Sequence, residues 1–291
     1  MLRYLTAGES HGPELTAIVE GLPAGVPVSE DEIAAELARR QRGYGRGGRM
    51  AIERDRAAIG AGVRHGETLG SPLSLRIVNR DWANWETEMQ VEQAPPGFVS
   101  RRAVRVPRPG HADLAGATKY GHRDMRNVLE RASARETAAR VAVGALCKCL
   151  LAEFGITIGS YVTMIGGVSA GDLGHLTYRE RFALAEQNDV RCPDVTALEA
   201  MHRRIWEIMQ ARDTAGGLFE VVALDVPPGL GSHVQWDRRL SARLLGALAS
   251  IHAIKGVEIG DAFAHAARPG TEVHDEIFLA EDGSLTRGSN R

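Results

Sequence analysis

The stretch DMRNVLERASARETAARVAVGALCKCLLAEF, Asp124 to Phe154, decides the fold. It contains no proline, is rich in alanine and stops at Gly155, a residue suited to the left-handed cap that ends a helix. One continuous helix over Asp124–Phe154 is therefore expected. Its small residues Ala132, Ala134, Ala138, Ala142, Gly144 and Ala145 spread around the whole circumference. A helix slim on every side admits close neighbours from several directions, so it should be the central element.

Outward from it, the chain alternates strands and helices. Leu15–Val19, Pro72–Val78, Ile156–Ile165 and Gly216–Leu224 read as strands. Ser29 with Glu32, and Thr177 with Glu180, are capping boxes that open helices, the first running to about Arg40. Asp194 should cap a helix to Arg212, Arg239–Ile254 should be another, and Glu276–Thr286 a hairpin around Asp282-Gly283. The strands alternate in polarity instead of running continuously apolar. That pattern favours antiparallel sheets in an α+β fold over a parallel, doubly wound sheet. No repeat, low-complexity tract or linker interrupts residues 1–291, which read as a single domain.

Thirty-five basic and 37 acidic side chains give a formal net charge of −2. A protein built to grip nucleic acid carries a basic excess, so any anion site here must be local. The N-terminus has no basic segment followed by an apolar run, and no stretch approaches the ~18 apolar residues of a membrane helix. Cys147, Cys149 and Cys192 read as reduced thiols of a cytoplasmic protein, Cys192 in a polar loop. No histidine pair has metal-site spacing.

Four motifs could carry chemistry. In Gly8-Glu-Ser-His-Gly12, glycines flank His11, whose ordinary titration near neutral pH suits proton transfer; a turn histidine is the bland alternative. In Arg108-Pro-Gly-His-Ala-Asp113, His111 stands beside arginines that can fork onto phosphate, or the loop is simply solvated and basic. The run Arg39, Arg40, Arg42, Arg46 and Arg49, with Tyr44 among glycines, reads as a phosphate cradle or as an RNA-binding arginine–glycine segment. In Glu130-Arg-Ala-Ser-Ala-Arg-Glu-Thr137, a helix would put Ser133 and Thr137 on one face and Arg131 and Arg135 on the next; the alternative is a solvated stripe of weak ion pairs.

Gly8-Glu-Ser-His-Gly-Pro-Glu-Leu-Thr-Ala-Ile-Val-Glu-Gly-Leu-Pro23 resembles the first signature of chorismate synthases. Arg40–Met50, Arg108–Leu114, Glu130–Thr137, Gly229–Ser232 and Ala253–Glu258 resemble further motifs of that family in the expected order. The resemblance implies antiparallel β-sheets sandwiching a central layer of helices, assembled as a homotetramer. It implies conversion of 5-enolpyruvylshikimate 3-phosphate to chorismate by 1,4-elimination of phosphate and a ring proton. Reduced FMN is required without net redox change, with NADPH a possible reductant.

Residue by residue, the resemblance makes His11 the acid near the departing phosphate and His111 a stabiliser of the flavin's protonation state. Arg40, Arg46 and Arg49 match positions that bind substrate or nicotinamide-nucleotide phosphate. Arg131, Ala132 and Ser133 match one flavin-contacting stretch, and His252 with Ala253 another, with histidine standing where asparagine, glutamine or proline is usual. Family members continue beyond the position of Arg291 with a further flavin-contacting segment and a late aspartate. The expectation is therefore a C-terminally incomplete chain, with a non-catalytic flavin-binding remnant as the alternative to an enzyme.

Overall fold

The computed structural model describes residues 2–46 and 54–289. In chain order the elements are β1 (Arg3–Ala7), β2 (Glu14–Glu20), β3 (Ala24–Pro27), α1 (Glu30–Gln41), β4 (Ala57–Ala61), β5 (Val63–Arg64), β6 (Glu67–Leu69) and β7 (Leu73–Val78). Then come α2 (Glu86–Met89), α3 (Asp113–Tyr120), α4 (Arg126–Leu129), α5 (Thr137–Ala152), β8 (Thr157–Ile165), β9 (Val168–Ser169), α6 (Tyr178–Ala185), α7 (Leu198–Gln210) and β10 (Gly217–Leu224). These belong to one compact unit, Met1–Val226; the second, Pro227–Arg291, holds α8 (Leu240–Ala249), α9 (Ala262–His265), β11 (Ile277–Leu279) and β12 (Leu285–Arg287).

Alternation builds the first sheet, whose order is β1-β2-β7-β4. Leu15, Ala17 and Val19 of β2 stand opposite Ile77, Leu75 and Leu73 of β7, and all six are buried on one face. Slipping the register by one residue would turn this set to water, so the pattern specifies the pairing. Smaller sheets, β3-β6-β5 and β10-β8-β9, complete the first unit, and β11-β12 forms a hairpin in the second. Every described strand pair is antiparallel.

The helical layer lies between sheets, as expected. α5 touches β1, β2, β7 and β3 on one side, β8 of another sheet, and α1 along its length. Ala138, Ala139, Ala142, Val143, Ala145 and Leu146 are buried there, with Ile33 and Leu37 of α1. Small side chains let backbones approach from several directions, which is what this helix requires. α1 carries the predicted capping box, with Ser29 accepting from Glu32 N and the Glu32 carboxylate from Ser29 N. α6 also packs on β8, where the Phe182 ring covers Gly159 so closely that an added Cβ would stand 2.3 Å from it.

The single helix over Asp124–Phe154 is corrected. α4 ends at Leu129, Ser133 is extended (ψ 143°), and a 3₁₀ turn at Ala134–Glu136 precedes α5. Ser133 caps that turn by accepting from Arg135 N, and the backbone is held outward by tertiary partners described below. Gly155 does close the helix with φ +72°. Two other helices are shorter than expected: α7 starts at Leu198, after a turn in which Asp194 accepts from Thr196 N, and α8 ends at Ala249. Cys192 does lie in the loop between α6 and α7, but its side chain is buried with Val190, Ala197 and Met201. Among the described residues no helix is long and apolar enough to cross a membrane.

Candidate active site

β1 and β2 are neighbours, with Ala7 opposite Thr16, so residues 8–13 form the loop between them. Gly8 takes φ +108°, and a Cβ there would stand 2.4 Å from the Glu14 carbonyl oxygen. Only glycine meets both conditions without moving the backbone. The loop is tied at both ends. Ser10 N donates to Glu130 O at 3.0 Å, and buried Asn79 donates its amide to Gly12 O at 2.8 Å and its backbone N to Pro13 O at 2.8 Å.

His11 is thereby presented on a fixed frame. Its backbone N donates to Glu130 Oε2 at 2.8 Å, and its Nδ1 lies 2.9 Å from both Glu130 oxygens. The ring stacks on Trp85 with centroids 3.6 Å apart and planes at 27°. Trp85 donates its indole N–H to Asp81 at 2.9 Å, and the Arg102 guanidinium lies 3.8 Å over its ring.

The break between α4 and α5 supplies the partner. Glu130, Arg135 and Glu136 are 2%, 6% and 3% exposed, so they are not a solvated stripe. Burial would raise the Glu130 pKa, but hydrogen bonds and charge from His11, with Arg126 donating at 2.6 Å, outweigh it and hold it below the ordinary value. The carboxylate is therefore ionised at neutral pH. Arg131 donates to Thr6 O at 2.9 Å and to Gly8 O at 3.3 Å, and Ser133 Oγ lies 3.1 Å from Ser10 Oγ. Ala132 continues the turn by donating to Val128 O at 3.0 Å. Because the helix breaks, Ser133 and Thr137 do not share a helical face; Ser133 turns to the His11 loop.

The C-terminal end of α1 reaches the same turn. Arg40 donates to Thr137 Oγ1 at 3.0 Å and Ala134 O at 3.1 Å, and lies 3.8 Å from Asp55. Asp55 takes both guanidinium nitrogens of buried Arg135. Beyond Arg40 the arginine–glycine segment docks on protein. Arg42 meets Glu186 at 3.4 Å, Tyr44 N donates to Asp189 O at 3.1 Å, and the Tyr44 ring stands edge-on to His202 at 4.8 Å. Gly45, with φ +75°, lets Ile205 come where a Cβ would be only 2.5 Å away. Arg46 donates back to Arg40 O. Arg49 lies outside the described residues.

His111 sits in the turn that opens α3 and repeats the design. Its Nδ1 is 2.5 Å from Asp113 Oδ1, while Arg108 clamps Asp113 through its backbone N at 3.1 Å and Nε at 3.0 Å. Burial works to raise the Asp113 pKa, yet Arg108 and His111 outweigh it and bring it down to about 2. A group depressed in this way stabilises the fold above its unfolded pKa of 3.8, and that contribution disappears as pH falls through about 2. The shift corresponds to about 2 kcal/mol. Asp113→Asn should therefore be less stable than the parent near pH 5, with the gap closing towards about pH 2. Urea midpoints at the two pH values check this; a constant gap contradicts it.

α3 packs on α4, with Gly116 so close to Val128 that a Cβ would stand 2.4 Å from it. The His111 turn is thus joined, through α4, to the segment that carries Arg126 and Glu130. The structure brings together His11, Arg40, Arg131, Ala132 and Ser133, with the His111 turn on the adjoining helix. His252 and Ala253 belong to the second unit, in the turn after α8, where Ala253 takes the left-handed φ of +67°. Residues that sequence reasoning passed over are Trp85, Asn79, Arg126 and Asp55, together with Glu130 and Asp113 in their partner roles. The last two stood inside quoted motifs; Trp85 and Asn79 carry no local signal.

Comparison with known proteins identifies the family. The family model for chorismate synthase matches residues 2–291. A chorismate synthase from Pelobacter propionicus is 59% identical over 278 residues, covering 96% of this chain and 70% of that protein. One from Desulforamulus reducens is 54% identical over 291 residues, covering 100% and 75%. A crystal structure of a chorismate synthase, 49% identical, superposes with a TM-score of 0.83 over 99% of this chain and 78% of that one.

Proposed function

The chain belongs to the chorismate synthase family, and we propose that it catalyses the reduced-FMN-dependent 1,4-elimination of phosphate from 5-enolpyruvylshikimate 3-phosphate, giving chorismate for aromatic amino acid biosynthesis. The observation that carries the reading is His11 seated on an ionised, buried Glu130 beside a cluster of arginines. That is the equipment needed to hold a phosphate ester and protonate its leaving group. Sequence identity of 54–59% along nearly the whole chain speaks for an enzyme over a non-catalytic remnant.

The donor set fits a flavin. The hydroxyls of Ser10 and Ser133 and the Arg131 guanidinium offer donors of the kind that a flavin's carbonyl and nitrogen edge accepts, and His111, with Nδ1 on Asp113, offers Nε2 as an acceptor or, when protonated, a donor. When bound, reduced flavin supplies the electron density that helps expel phosphate. His11, as imidazolium, cancels charge on the departing phosphate and gives it a proton, which makes it a better leaving group. His111, on ionised Asp113, is suited to steady the flavin's protonation state. Arg40, Arg46 and Arg49 are assigned to phosphate of substrate or nicotinamide nucleotide, and His252 with Ala253 to flavin contact. NADPH as reductant, a homotetramer and a cytoplasmic location complete the proposal.

Arg46→Ala should weaken the phosphate ester far more than flavin. A charge-assisted hydrogen bond is worth roughly 1.5–3 kcal/mol, or about 10- to 100-fold in affinity. Titration calorimetry with each ligand decides it; equal losses for both would remove Arg46 from the phosphate site. The RNA-binding reading has less to stand on, since Arg42 is matched by Glu186 and Tyr44 leans on His202.

A further inference from the structure

We propose that Glu130 is a positioning residue that sets the tautomer and ring orientation of His11. The proposal rests on the acid role of His11 given above and adds the group that makes that role specific. Neutral imidazole has two tautomers of similar stability, and a side chain on a loop can also turn about its own bonds. Glu130 removes both freedoms. One carboxylate meets the His11 backbone N at 2.8 Å and Nδ1 at 2.9 Å, so the main chain and the ring are referenced to the same two oxygens.

The carboxylate itself cannot swing. Arg126 holds Oε1 at 2.6 Å from one turn earlier, Glu130 O receives Ser10 N at 3.0 Å, and the side chain is 1% exposed. The opposite restraint is steric: Trp85 lies against the ring face at 3.6 Å and is itself pinned by Asp81 and Arg102. An ionised acceptor at Nδ1 selects the Nδ1–H form, so the proton exchanged with a ligand is the one at Nε2. In hydrolases whose catalytic histidine is oriented by a carboxylate, exchanging that carboxylate for its amide keeps the shape but gives the wrong tautomer, at a cost of about 10⁴ in turnover. The arrangement here has the same parts: a buried carboxylate, Nδ1, and a ring held face-on.

The test is Glu130→Gln in the whole protein, read in two ways. With ¹⁵N-labelled histidine, His11 of the parent should show Nδ1 protonated in its neutral form, and the variant should move that proton wholly or partly to Nε2. Turnover should fall by about 10²–10⁴-fold, with the KM for the phosphate ester and the affinity for FMN each within about threefold of the parent. Glu130→Asp, which keeps the charge one methylene shorter, should retain the Nδ1–H signature and recover part of the lost turnover. An unchanged ring signature in Glu130→Gln overturns the inference, whatever happens to rate, and so does a Glu130→Asp variant that behaves like the glutamine. If the signature moves but both Glu130→Gln and His11→Ala turn over normally, the positioning stands and the acid role of His11 is what fails.

Discussion

His11→Ala should lower turnover by about 10²–10⁴-fold, the usual cost of removing a general acid, and leave flavin binding close to the parent value. The separation follows from where the residue sits. His11 stands at the tip of the loop between β1 and β2, and its frame comes from backbone groups of Ser10, Gly12 and Pro13 that survive the substitution. What disappears is the ring between Glu130 and Trp85. The variant also leaves Glu130 with Arg126 alone among its charged partners described above, so it should fold, if somewhat less stably. Single-turnover kinetics with reduced flavin, alongside a flavin titration, gives both quantities. Full activity would take His11 out of the mechanism; lost flavin binding would make it a scaffold residue.

Asp55→Ala should destabilise the protein by about 3–5 kcal/mol, the range for breaking a buried ion pair by removing one partner. Arg135 is 6% exposed and meets Asp55 through both terminal nitrogens, so the alanine variant removes a two-point ion pair from a buried guanidinium. Arg40, 3.8 Å away, loses a nearby charge but keeps its bonds to Thr137 and Ala134. Because Asp55 follows the arginine–glycine segment while Arg135 and Arg40 border the His11 turn, the variant should loosen the site as well. Urea unfolding gives the stability, and a loss below about 1 kcal/mol would mean the pair is solvated in practice.

Much of the fold could be read locally because its determinants are local. Ser29 and Glu32 are three residues apart, and their capping box opens α1 where expected. The inward residues of β2 and β7 announce themselves by alternation, and Asp282-Gly283 by turn chemistry. Gly155 ends α5 because an L side chain resists its φ of +72°. The break at Arg131–Ser133 was hidden for the opposite reason. Alanine, arginine and glutamate all favour helix, and the only local hint was Ser133, a residue that prefers caps to helix interiors. What holds the break open is remote in sequence: His11 lies 119 residues before Glu130, and Asp55 lies 80 before Arg135.

The site divides along the same line. His11 and His111 could be picked out because glycine, histidine and arginine clustered in short motifs. Their carboxylates could not be paired with them by spacing alone. Asp113 is two residues from His111, but a loop does not reveal which side chains meet; Glu130, 119 residues from His11 in the chain, meets it only in the fold, in the turn just before α5, which packs on the first sheet. Glu130 and Glu136 looked like charges for solvent because nothing nearby in the chain covers them. Trp85 lay in a turn-rich stretch with no periodicity, and its role emerges only where Asp81 and Arg102 hold it over the His11 ring.

The most direct test of the central claim is an anaerobic reaction of the protein with chemically reduced FMN and 5-enolpyruvylshikimate 3-phosphate, following chorismate by absorbance and phosphate by colorimetry. The account predicts chorismate and phosphate in equal amounts, over many turnovers, with the flavin still reduced at the end and no product when it is omitted. Phosphate released without chorismate, or one flavin oxidised for each product formed, would contradict it.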